Sequence, residues 1–382
     1  MKAVKNIDFQ YDTLIDRRNI CDRLHEIKAI NRMVARNQRI VLYGPRRYGK
    51  TSLITNVIGP DFVKSNRKGL VISIDFMDVQ DLSSIEQRLR LSLSNTIQSQ
   101  MKMRGWVESF ISYFKNLSLT IDMDPITGQP SFSVKGNPKH ILQSIDEYFL
   151  AIQKLQGDRP VLLTLDEFQD VHYVKEAEAI LRKNLQTLSQ MPVIISGSKR
   201  LLLTDMFARS KSPFFGFGDE VDLPPIQVHD WLPYFNMRLR DSGKSIDENS
   251  MRLISEKLHN VPNAISEVGF WIKHDEQLKG QLTITSIWNS VERHLLAKEQ
   301  VFRYQLTSFS LQEKAILNAI AENGYVKQPT SKDFLRRVFS NASSVKKTFS
   351  KFLKLGVTEW EIDRGYRLSD PLLGLFLARQ AS

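Results

Sequence analysis

The stretch that decides the fold is Gly44-Pro45-Arg46-Arg47-Tyr48-Gly49-Lys50-Thr51. It follows the apolar run Arg39–Tyr43 and continues into Ser52-Leu53-Ile54, which can form a helix. A strand, a glycine loop, a lysine with a hydroxyl residue and a helix, in that order, are the parts of a phosphate-binding loop. An ordinary glycine turn before a core helix is the alternative. The loop prediction assigns phosphate contacts to Gly44, Pro45, Arg46, Arg47, Tyr48, Gly49, Lys50, Thr51 and Ser52.

The residue types in this loop match the chemistry of phosphate binding. Gly44 and Gly49 let the backbone curl so that several N–H groups point at a β-phosphate. The N-terminus of the following helix adds unpaired N–H groups and the positive end of its dipole. Lys50 is expected to reach the β- and γ-phosphates, and Thr51 to offer its hydroxyl to Mg²⁺.

Acidic residues follow a later apolar strand at Val161–Leu165. Asp166 lies at the strand end, where ligands of an open α/β sheet gather, and it can hold Mg²⁺ opposite Thr51. Glu167 can polarise the attacking water. Ser198 ends the next predicted strand and can donate a hydrogen bond to a γ-phosphate or to the water, unless it belongs to a plain strand-end turn. We therefore predict Lys50, Glu167 and Ser198 as catalytic residues, and Thr51 and Asp166 as metal ligands.

Composition limits the class of protein without fixing its partner. The chain has 382 residues, 42% of them hydrophobic and 25% charged, as is typical of globular domains. No apolar run reaches the ~20 residues that cross a bilayer, and no secretory signal is seen. Cys21 is the only cysteine, which fits a reducing cytoplasm. The net charge of +11 allows nucleic-acid contact, but an ordinary solvated basic surface is an equal alternative.

Strands and helices alternate through residues 1–227, which predicts an α/β domain with a parallel sheet covered by helices on both faces. We expect a helical lead-in over residues 1–38 and a helix over 51–58 that ends at Gly59-Pro60. The alternating stretches within 117–135, on either side of a turn, predict an inserted β-hairpin.

The rest of the chain predicts two smaller domains. Residues 228–305 read as a helical subdomain, interrupted at Asn260-Val261-Pro262. Residues 306–382 predict three helices and a two-stranded wing, which is a winged helix. Its first helix begins with a capping box at Ser310–Glu313, and Ser343 is expected to cap the third.

The winged helix leaves the partner open. Its third helix carries four lysines, where such a domain would meet DNA: Lys346, Lys347, Lys351 and Lys354. The wing carries Glu359, Glu361 and Asp363, which would repel phosphates. An unidentified protein partner or an intramolecular role is therefore favoured over DNA.

Four segments together resemble the prokaryotic, archaeal-type ATPases of the STAND branch of P-loop NTPases, which are related to AAA+ proteins. They are the phosphate loop through Leu53, Leu165-Asp-Glu-Phe-Gln169, Ile195-Ser-Gly-Ser198 and Ser212-Pro-Phe-Phe-Gly216. Asn260–Pro262 is similar to the proline turn of their helical domain, and Tyr366–Pro371 to their winged-helix ending. The resemblance implies an extra strand between the phosphate-loop strand and the Asp-Glu strand, a helical lid, and a winged helix near the nucleotide. It also implies an adenine-side role for Asp16-Arg17.

The catalytic arginine is not fixed by the sequence. Where the family usually has an arginine finger, this chain has Phe217. The candidates for a catalytic cation are Arg46, Arg47 and Arg209. We expect an ATP-binding, Mg²⁺-dependent ATPase that repositions its winged helix. The alternatives are a DNA-binding regulator with a largely structural nucleotide, and a scaffold that senses ATP without hydrolysing it.

Overall fold

The computed structural model describes residues 7–100, 119–123, 130–134 and 141–380, with backbone only for 99–100, 119–123, 130–134 and 158. The chain divides into two compact units. The first comprises Arg23–Gly44 and Lys50–Leu223. The second comprises Met1–Asp22, Pro45–Gly49 and Pro224–Ser382.

The first unit is built on a parallel sheet of five strands. The strands are β1 Arg39–Tyr43, β2 Leu70–Asp75, β5 Val161–Asp166, β6 Val193–Gly197 and β7 Asp219–Asp222. Two further strands, β3 Leu119–Met123 and β4 Pro130–Val134, lie between β2 and β5 in the chain. The order of the five strands across the sheet is β2-β5-β6-β1-β7, and every pairing is parallel. The predicted α/β class with a parallel sheet is confirmed. The short acidic edge strand β7 was not anticipated.

The strand order places the polar residues of interest at one edge of the sheet. Strand β6 lies between β1 and β5, so the predicted extra strand is confirmed. Parallel strands all end at the same edge. Gly44 directly follows β1, while Asp166 ends β5 and Gly197 ends β6.

The helix after the phosphate loop is longer than predicted. It starts as Lys50–Leu53, passes through a π-helical turn at Ile54–Ile58 and continues as Gly59–Ser65. Gly59-Pro60 does not end it, because Pro60 lies in the first turn of the last segment, where a missing N–H is tolerated. The N–H of Gly59 donates to the carbonyl of Ile54, as the wider π turn requires.

The helical lead-in is also shorter than predicted. The described residues form a 3₁₀ turn at Arg17–Asn19 and then the helix Leu24–Ala35. The remaining helices of the first unit are Leu82–Gln100, Ile141–Asp158, Ala177–Thr187 and Arg200–Ala208, with a 3₁₀ segment at Phe168–Tyr173.

The predicted insertion is a two-stranded antiparallel sheet. Strand β3, Leu119–Met123, pairs with β4, Pro130–Val134. The turn that was expected at residues 124–128 lies outside the described residues. Among the described residues, no helix is both long enough and apolar enough to cross a bilayer.

The part of the second unit that follows Pro224 starts with the predicted helical segment, whose core contains Trp231 and Trp271. The break at Asn260–Pro262 is confirmed, since one helix ends at Lys257 and the next starts at Pro262. The helices are Val228–Leu239, Glu248–Lys257, Pro262–His274, Ile284–Ala297 and Glu299–Leu306, and the short strands β8 Lys244–Ser245 and β9 Gly280–Gln281 pair in parallel.

The winged helix is confirmed. Its elements are the helices Leu311–Asn323, Lys332–Arg337 and Ala342–Leu355, the wing strands β10 Thr358–Glu361 and β11 Gly365–Leu368, and an unpredicted helix Pro371–Gln380. The capping box at Ser310 and Glu313 is present. The expected cap at Ser343 is wrong, because Asn341 is the N-cap and its side chain accepts from the N–H of Ser344 at 2.9 Å. Asn has the same short acceptor as Ser and starts the helix two residues earlier.

Candidate nucleotide site

The first unit brings the predicted lysine, hydroxyl and acid together at the carboxyl edge of the sheet. Lys50 is buried, and its ammonium donates to the carbonyl of Gly44 at 2.7 Å. Thr51 donates its hydroxyl to Asp166 Oδ2 at 2.6 Å. The loop lysine therefore lies beside the end of β1, and the hydroxyl and the strand-end acid are direct neighbours.

Asp166 is held on both carboxylate oxygens. Oδ1 accepts from the hydroxyl of Ser196 at 2.6 Å and from the N–H of Glu167 at 3.0 Å. Oδ2 faces Thr51. A hydroxyl and a carboxylate oxygen this close suit Mg²⁺, which usually takes one or two protein oxygens and fills its octahedron with phosphate oxygens and water. Thr51 and Asp166 are the residues that would hold it. Ser196, which the sequence analysis missed, orients the acid.

Glu167 follows with an unusual backbone. Its φ of 48° and ψ of 37° are left-handed, which costs a non-glycine residue about 1–2 kcal/mol. Its Oε2 accepts from the hydroxyl of Ser198 at 2.9 Å and from the side-chain amide of Gln169 at 2.6 Å. The structure thus brings the two predicted catalytic residues Glu167 and Ser198 into direct contact.

Asp75 is an acidic neighbour to which the sequence analysis gave no role. It ends β2 and pairs in register with Asp166 on β5. Burial raises the pKa of Asp75, and the charges of Asp166 and Glu167 raise it further, against a hydrogen bond from the N–H of Met77. Three carboxylates therefore lie at the ends of neighbouring strands, where a cation would relieve their repulsion.

The tip of the loop, Pro45–Gly49, groups with the second unit. The backbone N–H of Arg46 donates to Glu359 Oε1 at 2.9 Å, and the guanidinium of Arg47 donates to Asp370 Oδ2 at 2.9 Å. Burial would lower the pKa of Arg47, but the charge of Asp370 raises it overall. Tyr48 is buried in the hydrophobic core of this unit. Three residues predicted to contact phosphate are therefore engaged by side chains of the winged helix and by the core.

A buried arginine, Arg367, holds the glutamate that accepts from Arg46. Arg367 is fully buried and donates to Glu359 Oε2 at 2.7 Å, to Glu361 Oε1 at 2.5 Å and to the carbonyl of Leu368 at 3.0 Å. The guanidinium of Arg367 therefore compensates the charges of the two wing acids, Glu359 and Glu361. The predicted repulsion of phosphates by Glu359 and Glu361 is weakened for this reason.

The position of the missing arginine finger lies far from the loop lysine within the first unit. Phe217 is buried, with the guanidinium groups of Arg39 and Arg182 4.4 Å and 4.6 Å from its ring centre. Arg39 is the first residue of β1, whereas Gly44 follows its last residue. The five residues of β1 span about 15 Å. An arginine at position 217 would start from the amino-terminal edge of the sheet, opposite the site.

The other candidate arginines have partners of their own. Arg209 forms an exposed ion pair with Asp205 one helical turn earlier, at 2.9 Å. The lysines of the third helix of the winged helix also differ in their surroundings. Lys351 is paired with Glu313 at 2.6 Å, whereas Lys346 and Lys347 are exposed.

Comparison with known proteins decides the domain type. Residues 20–196 match a family described as an ATPase domain predominantly from Archaea. The N-terminal part is an ATPase domain of the archaeal type. Residues 300–379 match a family described as a probable winged helix domain. The expected combination of an archaeal-type ATPase domain with a C-terminal winged helix is confirmed.

Two solved structures resemble the whole chain. The Walker-type ATPase paby2304 of Pyrococcus abyssi is 20% identical with a TM-score of 0.56, over 95% of this chain and 97% of that one. The ORC2 protein of Aeropyrum pernix, solved in ADPNP–ADP complexes, is 14% identical with a TM-score of 0.51, over 98% of this chain and 100% of that one. At these identities the likeness concerns the fold. No curated protein sequence matches the chain.

The matched ATPase segment contains most of the candidate site. It runs from the residues before the first helix to strand β6, so Lys50, Thr51, Asp166 and Glu167 lie inside it and Ser198 lies just beyond it. The individual roles of these residues, and the assignment to the STAND branch, stay predictions.

Proposed function

We propose that this protein binds ATP with Mg²⁺, hydrolyses it, and uses the nucleotide state to reposition its winged helix. The observation that carries the proposal is the contact of Thr51 with Asp166 beside Glu167 and Ser198. Thr51, Asp166 and Glu167 lie within the segment that matches archaeal-type ATPase domains. A phosphate loop, a hydroxyl, a strand-end acid and a water-polarising acid are the parts that phosphoryl transfer needs. Nucleotide complexes of the structurally similar ORC2 protein support the same ligand class.

The proposed roles follow the positions of the side chains. Lys50 leaves the carbonyl of Gly44 and neutralises the β- and γ-phosphates. Thr51 and Asp166 hold the metal, and Glu167 accepts a proton from the attacking water. Ser198 donates its hydroxyl to the γ-phosphate or to the water. Electrostatic stabilisation supplies most of the rate in such sites.

The contacts of the loop tip support the switch. Arg46 and Arg47 lie among residues predicted to contact phosphate, and both are bonded to acids of the winged-helix segment. A phosphate competes with a carboxylate for the same N–H and guanidinium donors. Nucleotide binding would thus release Glu359 and Asp370, and with them the winged helix.

ATP hydrolysis by purified protein tests the proposal. Lys50→Ala should abolish binding of a fluorescent ATP analogue, and Glu167→Gln should bind the analogue but lose at least ~100-fold in turnover, the usual contribution of a general base. Lys64→Ala removes an exposed lysine of the helix after the loop and should change neither. Normal binding by the Lys50 variant would refute the nucleotide site, and normal phosphate release by the Glu167 variant would refute its role.

A second candidate function, DNA binding, is favoured by one observation. Lys346 and Lys347 are exposed on the third helix of the winged helix, and the nearby acids Glu359 and Glu361 are occupied by Arg367. Neutralising both lysines should weaken DNA binding at every sequence and reduce the salt slope by about 2. Lys257→Ala, an exposed lysine of the helical segment, is the control. A protein without a gel shift at low salt does not use this surface for DNA. A protein partner and a cytoplasmic location remain part of the proposal.

A further inference from the structure

Gln169 is a buried amide that is tied to both predicted catalytic residues. Its side chain is nearly inaccessible, with 1% exposure, although glutamine usually lies on the surface. Its Nε2 donates to Glu167 Oε2 at 2.6 Å, and its Oε1 accepts from the backbone N–H of Ser198 at 3.2 Å. One side chain therefore joins the residue after β5 to the residue after β6.

The surroundings fix which way the amide points. Nε2 also donates to Asp170 Oδ1 at 3.2 Å, so both of its hydrogens face carboxylates. A flipped amide would place its oxygen against two carboxylates and its nitrogen against an N–H donor. Asp170 is itself held by Lys199 at 2.8 Å and by the N–H of Asp78 at 3.0 Å. The amide is therefore held rigidly from three sides.

The chain also leaves room for this side chain. A Cβ placed on Gly197 would lie 2.0 Å from Gln169 Oε1, which is far inside any allowed contact. Gly197 ends β6 with no left-handed backbone to explain it. The glycine is needed here because the amide of Gln169 crosses the end of the strand.

Glu167 has two donors, and they differ in what else they can do. Ser198 has one hydroxyl proton, which it now gives to Glu167 at 2.9 Å. When that proton turns to a γ-phosphate, as the proposed function requires, Glu167 loses this bond. The amide of Gln169 has no role at the phosphate in the proposed function, so it keeps its hydrogen bond to Glu167. It is the constant support for a carboxylate on a left-handed, unfavourable backbone.

We infer that Gln169 is a positioning residue that holds the Glu167 carboxylate in place when Ser198 turns to the phosphate. The inference rests on the proposed ATPase function. It predicts an effect on turnover rather than on nucleotide binding, because Gln169 reaches the nucleotide only through Glu167 and Ser198.

Two substitutions of Gln169 separate positioning from simple packing. Gln169→Met keeps the volume without the donors, and we expect a ~10- to 100-fold loss of kcat with a KM within about twofold of the parent, since a misplaced catalytic group costs that much. Gln169→Glu places a third carboxylate there. Its loss of kcat, relative to the parent protein at the same pH, should shrink from pH 8 to pH 6, because a protonated glutamic acid can again donate to Glu167. Gln153→Met, at an exposed amide bonded to the carbonyl of Thr187, is the control.

A second route and a second readout keep the test decisive. Gly197→Ala should reproduce the kcat defect, since its methyl group displaces the amide. Crystal structures of the nucleotide-free Ser198→Ala protein and of the Ser198→Ala/Gln169→Met double variant provide a measurement that needs no hydrolysis, because the alanine removes the serine hydrogen bond as the proposed turn to the phosphate would. We expect the Glu167 carboxylate to keep its place in Ser198→Ala and to leave it in the double variant.

Unchanged kcat in Gln169→Met, or a Glu167 carboxylate that stays in its place in the crystal structure of the double variant, overturns the inference. A parent protein that does not hydrolyse ATP refutes the proposed function instead, and the crystal structures still decide whether Gln169 holds Glu167. A Gln169→Glu variant whose loss of kcat at pH 6 is as large as that of Gln169→Met identifies a packing role and likewise overturns it.

Discussion

Replacing Asp370 by Asn should increase the affinity for ATP. Asp370 pairs with Arg47 of the loop tip at 2.9 Å, and it also caps the helix Pro371–Gln380 by accepting from the N–H of Leu372 at 3.0 Å. Asparagine is as good an N-cap as aspartate, so the substitution removes the ion pair and leaves the helix start intact. If nucleotide binding must break the ion pair between Arg47 and Asp370, binding to the variant does not have to supply that free energy.

The size of the effect follows from the partial burial of the pair. The side chains of Arg47 and Asp370 are 38% and 22% exposed. Fully exposed pairs contribute about 0.2–1 kcal/mol, and breaking a buried pair costs about 3–5 kcal/mol. Because both side chains keep part of their surface in solvent, which screens the pair, we take the upper value for exposed pairs, about 1 kcal/mol. By linkage this corresponds to an approximately fivefold lower Kd for ATP.

Titration with a fluorescent ATP analogue measures this change. Asp363→Asn, in the turn of the wing, removes the same charge from an exposed residue and is the matched control. We expect the Kd of the Asp370 variant to fall about fivefold relative to this control, with the gain reduced at high salt because the pair is partly screened. Equal affinities in the two variants, or weaker binding by the Asp370 variant, would show that nucleotide binding does not compete with the winged helix for Arg47.

Three further predictions concern the winged helix and the turn before Pro262. Arg367→Met should destabilise the protein by about 3–5 kcal/mol in denaturant unfolding, because Glu359 loses its buried partner; a loss below 1 kcal/mol contradicts the buried network. Burial and the charge of Arg367 lower the pKa of His259 to about 4 in the folded protein, so His259 stays neutral while the unfolded chain binds a proton below about pH 6.5. The free energy of unfolding should therefore fall by up to ~3 kcal/mol from pH 6.5 to pH 4, and His259→Gln should remove that part of the slope. Asn341→Ala should cost about 1 kcal/mol and Ser343→Ala almost nothing, measured by thermal unfolding; the opposite order would restore Ser343 as the cap.

Much of the fold could be predicted because its signals are local. The apolar strands, the capping box at Ser310 and the break at Asn260–Pro262 are each visible within a few residues of sequence. The strand Asp219–Asp222 could not be found this way, since three of its four residues are acidic and its place is set by pairing with β1. Asn341 was missed because several Asn and Ser residues precede the third wing helix, and only the backbone geometry selects one.

The residues of the candidate site also divide into those with a local sequence signal and those placed by long-range contacts. Lys50, Thr51, Asp166 and Glu167 could be proposed because their residue types stand at motif spacing. Three other polar residues of the site make contacts between segments that are distant in sequence, for which no spacing signal exists: Ser196, Gln169 and Asp75. A weak signal was available for Gln169 alone. A glutamine just after the Asp-Glu pair, in a buried apolar context, has to find hydrogen-bond partners, and the nearest polar groups are those of the site.

The place of Phe217 changes the question of the catalytic arginine. Within the first unit this residue packs against Arg39 at the start of β1, while the phosphate loop follows the end of the same strand. An arginine at 217 would project from the edge opposite the site, so its replacement by phenylalanine does not remove a cation from the site of the same domain. In the proposed ATPase, turnover of the isolated protein would therefore depend on Lys50, on the metal, and on whether Arg46 or Arg47 is released from the winged helix.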